Sequence, residues 1–502
     1  MIRRPPRSTQ SRSSAASDVY KRQALIHAVR WAVLGRYLGQ LALVQAVLAL
    51  PPLAVSLFHG EGAASLRFLG VLALLIASGW PLSRLDAPDR IRSNAAMVIV
   101  TLAFVLNPLL MSWPLAAYGL PAMDALFEAV SGVTTTGLTT LVHVGGLPHG
   151  FLFARAWMQW YGGLGFAVLA VALLAHHAQA LRRLVEPGAS GLLASSVRMY
   201  ARRVLTVYAL LTLAGILLIH SAGLAPFDAL AHGLAAISTG GFSTFDRSLG
   251  DPLPASVAAA VMFVALCGAI ALPLYHGALR QGLRALFMDA EVRALFSALL
   301  LVTGVLFAWF WQAGMAPWDA LRYGLSTAVA AQTTAGFSTL EVANLDAFPM
   351  GLMILAMAVG GSVGSTAGGI KLLRVLILLR LIQSWLRRAA APEHAVVQAR
   401  LGGRRLEDEE IQRALLVILL FVLLVLLSWL VFLAYGYAPL PALFEVVSAA
   451  GTVGLSTGIS ADGLPPLLKL VLCLDMLAGR LEIVALLVTV YPATWIGRQR
   501  EV

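Results

Sequence analysis

Long apolar stretches recur along almost the whole chain, separated by short polar loops. Two stand at the front, near residues 38–58 and 66–80. A bilayer-crossing helix needs about 20 apolar residues, and stretches of this order recur throughout. Behind the opening pair one layout repeats four times. Each unit reads as a long apolar helix, a short helix of small residues, a Thr/Gly segment and a second long apolar helix. The units cover about 94–175, 204–276, 294–386 and 412–491, with the short helices near 123–133, 227–237, 320–331 and 442–450. The pattern predicts an all-α polytopic membrane protein of about ten transmembrane helices. Two extra helices precede four helix–pore loop–helix repeats around one pore. The corresponding segments are 24–93 for the opening pair, then 94–203, 204–293, 294–411 and 412–502 for the repeats.

The Thr/Gly segments carry the candidate chemistry. They read TTTGLTT from Thr134, STGGFST from Ser238, TTAGFST from Thr333 and GTVGLST from Gly451. Non-helical backbone survives at membrane depth only when it is buried in protein or lines water. Rings of backbone carbonyls can replace the hydration shell of a cation. Glycine opens dihedrals closed to other residues, so successive carbonyls can turn toward one axis. The predicted filter is Thr135, Thr136 and Gly137; Thr239, Gly240 and Gly241; Thr334, Ala335 and Gly336; Thr452, Val453 and Gly454. The residue before the last glycine differs in every copy. A backbone ligand tolerates that, though it predicts a less regular filter than four identical loops would build.

The run before each filter also repeats, as MDALFEAVSG, FDALAHGLAA, WDALRYGLST and LPALFEVVSA. Asp124, Asp228 and Asp319 are expected to cap these short helices. A cation-attracting vestibule is a second reading of the same three residues. His232 is expected to be a packed helix residue rather than a proton relay. A further irregular stretch, GGSVGSTAGGIK from Gly360 to Lys371, interrupts the second long helix of the third unit. Its glycines are expected to break that helix at mid-membrane. Gly360, Gly361, Gly364, Ser365, Thr366, Gly368 and Gly369 then form a flexible gate below the filter, with Lys371 snorkelling to the cytoplasmic edge. The last helix holds Asp475, Arg480 and Glu482. Intramembrane charges are costly and point to function. Arg480 is expected to act in the gate, paired with Glu482, with Asp475 or with a carbonyl of the loop.

Composition agrees with this picture. Of 502 residues 59% are hydrophobic and only 12% charged, about half the charge of a soluble domain. The net charge of +11 gathers in alternate loops. Arg84, Arg90 and Arg92 lie in one, Arg182, Arg183, Arg198, Arg202 and Arg203 in the next, then Arg280, Arg284 and Arg293, then Arg374 through Arg413. The other side carries chiefly Arg67, Arg155, Arg247, Arg322 and Lys469. This asymmetry predicts cytoplasmic termini and filters entered from outside. It excludes a nucleic-acid partner, which would meet a basic stripe on a soluble domain. Cys267 and Cys473 sit in apolar stretches and imply neither a disulfide nor a metal site. Residues 1–23, polar and rich in Ser and Arg, are expected to be a disordered, non-native leader.

Other classes fit less well. An intramembrane enzyme would need a constellation such as H-E-x-x-H, absent from this sequence. A passive scaffold does not need four filter copies. Inverted-repeat transporters do not repeat in parallel and fourfold. A sodium or mixed-cation transporter on the same scaffold stays open, because filter geometry decides it.

QWYGGLGFAVLAVALL from Gln159, GSTAGGIK from Gly364, GRLE from Gly479 and the four filter segments together resemble the Trk/Ktr/HKT superfamily of potassium transporters. The opening pair of helices makes the TrkH branch the most similar. The resemblance covers essentially everything after residue 23. It implies potassium uptake across the bacterial cytoplasmic membrane, with K+ as cargo and no bound cofactor. It implies a homodimer in membrane lipid with one pore per subunit. It implies a gate formed by the 360–369 loop and Arg480, and a cytosolic nucleotide-binding, TrkA-like regulatory subunit on the basic face. Sodium-selective relatives often carry Ser at the first filter glycine, so Gly137 favours potassium. Asp475 stands where the resemblance leads one to expect a neutral residue.

Overall fold

The computed structural model describes residues 28–87, 92–177, 193–282, 284–392 and 398–496. The leader, Arg90, Arg182 and Arg183 lie outside these residues. Two helices, α1 (Trp31–Leu48) and α2 (Leu50–Phe58), form one 28-residue apolar span. It is stepped at Ala49 because Pro51 and Pro52 offer no amide to the preceding turn. The hairpin partner α3 (Gly62–Ser83) completes the opening pair. Both begin before the predicted apolar runs, at Trp31 and Gly62.

The first repeat contains α4 (Ser93–Leu115), α5 (Ala122–Val133) and α6 (His149–His177). The second contains α7 (Leu193–Ser221), α8 (Pro226–Ile237), α9 (Ala255–Ala269) and α10 (Leu272–Gln281). After the short α11 (Arg284–Met288), the third contains α12 (Ala290–Gln312), α13 (Pro317–Gln332), α14 (Ala347–Val359) and α15 (Leu372–Ala389). A two-residue hairpin, β1 (Arg400–Leu401) with β2 (Arg404–Arg405), leads to the fourth. That repeat holds α16 (Asp408–Ala434), α17 (Pro439–Ala450), α18 (Pro466–Arg480) and α19 (Val484–Val490).

The short helices α5, α8, α13 and α17 start on proline, at the first helical position in three and just before it in α5. Proline is preset for that site, where its missing amide costs nothing. Asp124, Asp228 and Asp319 therefore do not cap. They stand in the first turn, still on the favourable end of the dipole. The buried Asp124 pairs with Lys469 of α18, and Asp228 Oδ1 accepts from Thr244 Oγ1 at 2.7 Å.

Inner helices pack directly on the ends of these short helices. A methyl group on Gly162, Gly268 or Gly479 would stand 2.1, 2.3 or 1.9 Å from the carbonyl oxygen of Val133, Ile237 or Ala450. Each of those carbonyls ends a short helix, so glycine is what permits the approach.

Three of the four inner helices are broken, where the sequence pattern predicts one. The chain turns by 91° between α9 and α10, where Pro273 cannot continue the ladder. α14 and α15 are separated by the expected loop. α18 and α19 are separated by Leu481, Glu482 and Ile483, the last two at φ +56° and +60°. A β-branched residue in that region is an outlier, which no local pattern announces. Among the described residues six helices are long and apolar enough to cross a membrane, or seven counting the bent pair. The halves of a broken inner helix each fall short of that length or that apolar character.

Candidate functional site

Each short helix ends the same way. The amides of Thr136, Gly240, Ala335 and Val453 reach back to the carbonyls of Ser131, Ala235, Ala330 and Ser448 at 2.9, 2.8, 3.1 and 2.8 Å. The amides of Thr135, Thr239, Thr334 and Thr452 reach those of Gly132, Ala236, Ala331 and Ala449. This double closure is a Schellman turn, whose pivot residue is left-handed and usually glycine. Here the pivot is threonine every time, at φ 59°, 52°, 55° and 50°. Strain of this kind, about 1–3 kcal/mol per residue, persists where function needs it. The four hydroxyls are fully buried. Thr239 Oγ1 donates to the Ser238 carbonyl, and Thr334 Oγ1 accepts from Gly368 N at 2.7 Å. Those of Thr135 and Thr452 carry no hydrogen bond among the described residues.

Beyond each pivot the glycine returns to positive φ: 92° at Gly137, 82° at Gly241, 66° at Gly336 and 94° at Gly454. Alternating signs of φ turn successive carbonyls to one side. A methyl group on Gly137 would stand 2.2 Å from the oxygen of Gly240. On Gly241 it would meet Ala335 at 2.5 Å, on Gly336 it would meet Val453 at 2.0 Å, and on Gly454 it would meet Thr136 at 2.1 Å. The contacts run from the first repeat to the second, third, fourth and back to the first. All twelve predicted filter residues thus fall in one closed ring.

Side chains behind the ring hold it. Ser131 Oγ accepts from Gly137 N at 3.0 Å, and Ser448 Oγ from Gly454 N at 3.1 Å. Glu128 Oε1 accepts from Thr139 Oγ1 and Thr140 N, while its other oxygen meets Arg155 Nε at 2.8 Å. Glu445 Oε1 accepts from Ser456 Oγ at 2.5 Å and from Thr457 N at 3.1 Å. His232 occupies the matching position in the second repeat and meets Ser243 Oγ at 3.0 Å. It is a packed residue, as expected. The sequence reading passed over Glu128, Glu445, Ser131 and Ser448. Their signal was present, because FEAVSG and FEVVSA place Glu and Ser at the same offsets before the glycine.

Outside the ring opens a cavity of about 790 Å³, lined by all four glycines together with Asp246, Asp251, Glu341 and Asp346. Against these stand Arg155 and Arg247. Excess carboxylate in a low-dielectric cleft concentrates cations. These carboxylates follow the Thr/Gly segments, and Asp124, Asp228 and Asp319 do not line the cavity. Asp246 Oδ1 accepts from Val144 N at 2.5 Å and Gly145 N at 2.7 Å, stapling the first two exit loops, with His143 Nδ1 3.6 Å away.

The amides of Gly145 and Val144 hold the Asp246 carboxyl below its ordinary value of 3.8. A depressed folded pKa adds stability above the unfolded value and loses it as pH falls through the folded one. The staple is expected to hold above about pH 5 and to loosen progressively below about pH 4. Hydrogen exchange at Val144 and Gly145 should show that acid step in the native chain and lack it in Asp246→Asn.

Inside the ring lies the 360–371 loop. Its glycines Gly360, Gly364 and Gly369 have positive φ, as does Lys371. The loop replaces the bonds that the broken α9–α10 helix lacks: Ser362 N and Thr366 N donate to the Ala269 and Gly268 carbonyls, and Leu272 N to Gly364 O. Thr366 Oγ1 lies 3.4 Å from that of Thr239. A methyl group on Gly368 would stand 2.2 Å from Thr452 Oγ1. Gln332 Nε2 donates to Gly360 O at 2.8 Å, and Ser365 Oγ to Ser362 O at 2.6 Å. A methyl group on Gly361 would meet Ala367 Cβ at 2.6 Å. The loop therefore touches the left-handed threonines of three repeats from below.

Arg480 donates to Thr366 O at 2.8 Å and to Gly162 O and Gly163 O at 2.9 and 3.3 Å. Of the three partners considered, it takes the loop carbonyl. Asp475 accepts from Ser428, and Glu482 pairs with Arg374. Lys371 does not snorkel. It is buried, and its amine folds back onto the Ala367 carbonyl.

Residues 65–494 match the family model described as TrkH, cation transport protein. The chain is 31% identical over 480 residues to the Trk system potassium uptake protein TrkH of Salmonella typhimurium, covering 92% of this chain and 98% of that one. An uncharacterized cation transporter of Methanocaldococcus jannaschii is 30% identical over 467 residues, covering 90% and 93%. The crystal structure of the potassium transporter TrkH from Vibrio parahaemolyticus aligns with a TM-score of 0.83 at 28% identity, covering 93% of this chain and 100% of that chain.

Proposed function

This chain belongs to the TrkH family of cation transport proteins, and from that premise we propose that it takes up potassium through the ring of four glycine segments. It is a multi-pass membrane transporter and not an enzyme. One observation carries the reading: four carbonyl-bearing segments from four parallel repeats close on one another in cyclic order. Carbonyls so placed exchange for water around a desolvating cation. The orphaned hydroxyls of Thr135 and Thr452 add ligands at the inner end. The short helices end at the ring, and their negative dipole ends favour a cation there.

The loop from Gly360 to Lys371, tethered by Arg480, is the gate in this reading. Relatives are named as parts of a Trk system, which supports partnership with further components; in this reading the partner is a cytosolic nucleotide-binding, TrkA-like subunit on the basic inner face. The functional unit is a homodimer with one pore per subunit in the bacterial inner membrane, both termini inside, with K+ as cargo and no further cofactor. The unequal residues Thr136, Gly240, Ala335 and Val453 keep a mixed-cation transporter as the competing reading.

Rubidium uptake into proteoliposomes separates the two. Potassium is expected to compete and sodium to compete poorly. Equal competition by sodium would keep the pore and discard the potassium assignment. Absent flux from inserted dimer with a regulatory ring supplied would remove the transport reading.

A further inference from the structure

We infer that Gln159 is a positioning residue of the filter, whose side chain aims the Gly240 carbonyl and so sets how sharply potassium is told from sodium. The inference rests on the ring being the cation filter. Gln159 belongs to α6 of the first repeat, yet its fully buried side chain reaches the filter of the second. Its Nε2 donates to Gly240 O at 2.5 Å, and its Oε1 accepts from Phe242 N at 3.2 Å. Backbone donor and acceptor force the amide into this one orientation. The two bonds straddle Gly241 as a neighbouring strand would, and lock the tripeptide's direction.

The same contact explains why the second filter has glycine where the others have Thr136, Ala335 and Val453. A methyl group on Gly240 would stand 2.4 Å from Gln159 Cδ. The ring itself accepts side chains at this level in three repeats, so the need for glycine comes from Gln159. One turn earlier on α6, Arg155 stacks 3.8 Å over the Phe242 ring while Glu128 holds its guanidinium. One face of α6 therefore grips residues 240–242 at three points. In the first and fourth repeats the anchors are Ser131 and Ser448, which take the glycine amide instead.

A carbonyl that already accepts a hydrogen bond is fixed in direction and offers a cation a weaker field. The number and field strength of such carbonyls bear on the choice between potassium and sodium. Gln159 thus makes one ligand of the ring unlike the other three.

The test measures rubidium uptake, with potassium and sodium as competitors, in proteoliposomes of five proteins: wild type, Gln159→Leu, Gln159→Ala, Gly240→Ala and the double Gln159→Ala/Gly240→Ala. In Gln159→Leu sodium is expected to compete about tenfold better, the effect of one lost hydrogen bond. Gly240→Ala is expected to cut the rate where Gln159 is present and to be nearly silent in the double variant, a coupling that general destabilisation would not produce. The double variant should share the weak selectivity of Gln159→Leu. Wild-type selectivity in Gln159→Leu would overturn the inference alone. If that variant does not insert, equal harm from Gly240→Ala with and without Gln159 overturns it. A wild type that does not distinguish the two competitors overturns the filter reading and this inference with it.

Discussion

Replacing Gly137 by serine is expected to lower potassium uptake by about a hundredfold or more and to leave a residual flux that sodium shares. The residue sits at φ +92°, where an L side chain costs about 1–2 kcal/mol. Its new Cβ would stand 2.2 Å from the Gly240 oxygen and 3.2 Å from the carbon behind it. Backbone cannot yield as a flexible side chain does, so one repeat must withdraw from the next. Overpacking adds about 1–3 kcal/mol, and the sum reaches the stated factor at 1.4 kcal/mol per tenfold. The displaced carbonyl belongs to the tripeptide that Gln159 clamps, so the damage is not local to the first repeat. Uptake assayed against both competitors decides the matter. Normal rate and selectivity in well-inserted Gly137→Ser would mean that ions do not pass this ring.

Arg480→Ala should act in the opposite direction, raising basal flux by about tenfold in the absence of any regulatory partner. The guanidinium is buried just below the ring, where it ties the loop at Thr366 to Gly162 and Gly163 on α6. Hydrogen bonds to a charged group contribute about 1.5–3 kcal/mol each, and alanine removes the one to Thr366 on the loop along with those to Gly162 and Gly163 on α6. It also removes a fixed positive charge from beneath the ring. Arg480→Lys separates these two effects, since lysine keeps the charge and loses the planar fork. If the tether matters most, lysine resembles alanine. If charge matters most, it resembles the native protein. Thermal unfolding should move down in both variants, because backbone carbonyls are left buried without a donor. A fall in flux, or no change, would show that Arg480 does not hold the loop shut.

The legible parts of this molecule are those that repeat. Four Thr/Gly segments after four short proline-started helices need no long-range information, because the Schellman turn is closed by amides and carbonyls five residues apart. Their phase alone marks Thr135 through Gly454 as one set. The loop from Gly360 was legible because its glycines leave no helix that could continue. Glu128 and Glu445 were also written in the repeats, at one offset, but carboxylates in short helices read as surface until their burial is seen. The broken helix at Glu482 and Ile483 was not legible. Its left-handed residues are held by packing, against the local preference of a β-branched side chain.

By itself, then, the sequence determined the membrane class, the fourfold repeat, the place of the four Thr/Gly segments and the position of the loop, because each is a local pattern of period, size and polarity. Only the tertiary structure decided the cyclic order of the ring, the crossing of Gln159 to Gly240, the pairing of Lys469 with Asp124 across 345 positions and the reach of Arg480 to Gly162 across 318. A buried polar group must find a partner somewhere. Which one it finds depends on how whole repeats pack, and no window along the chain contains both halves of such a contact.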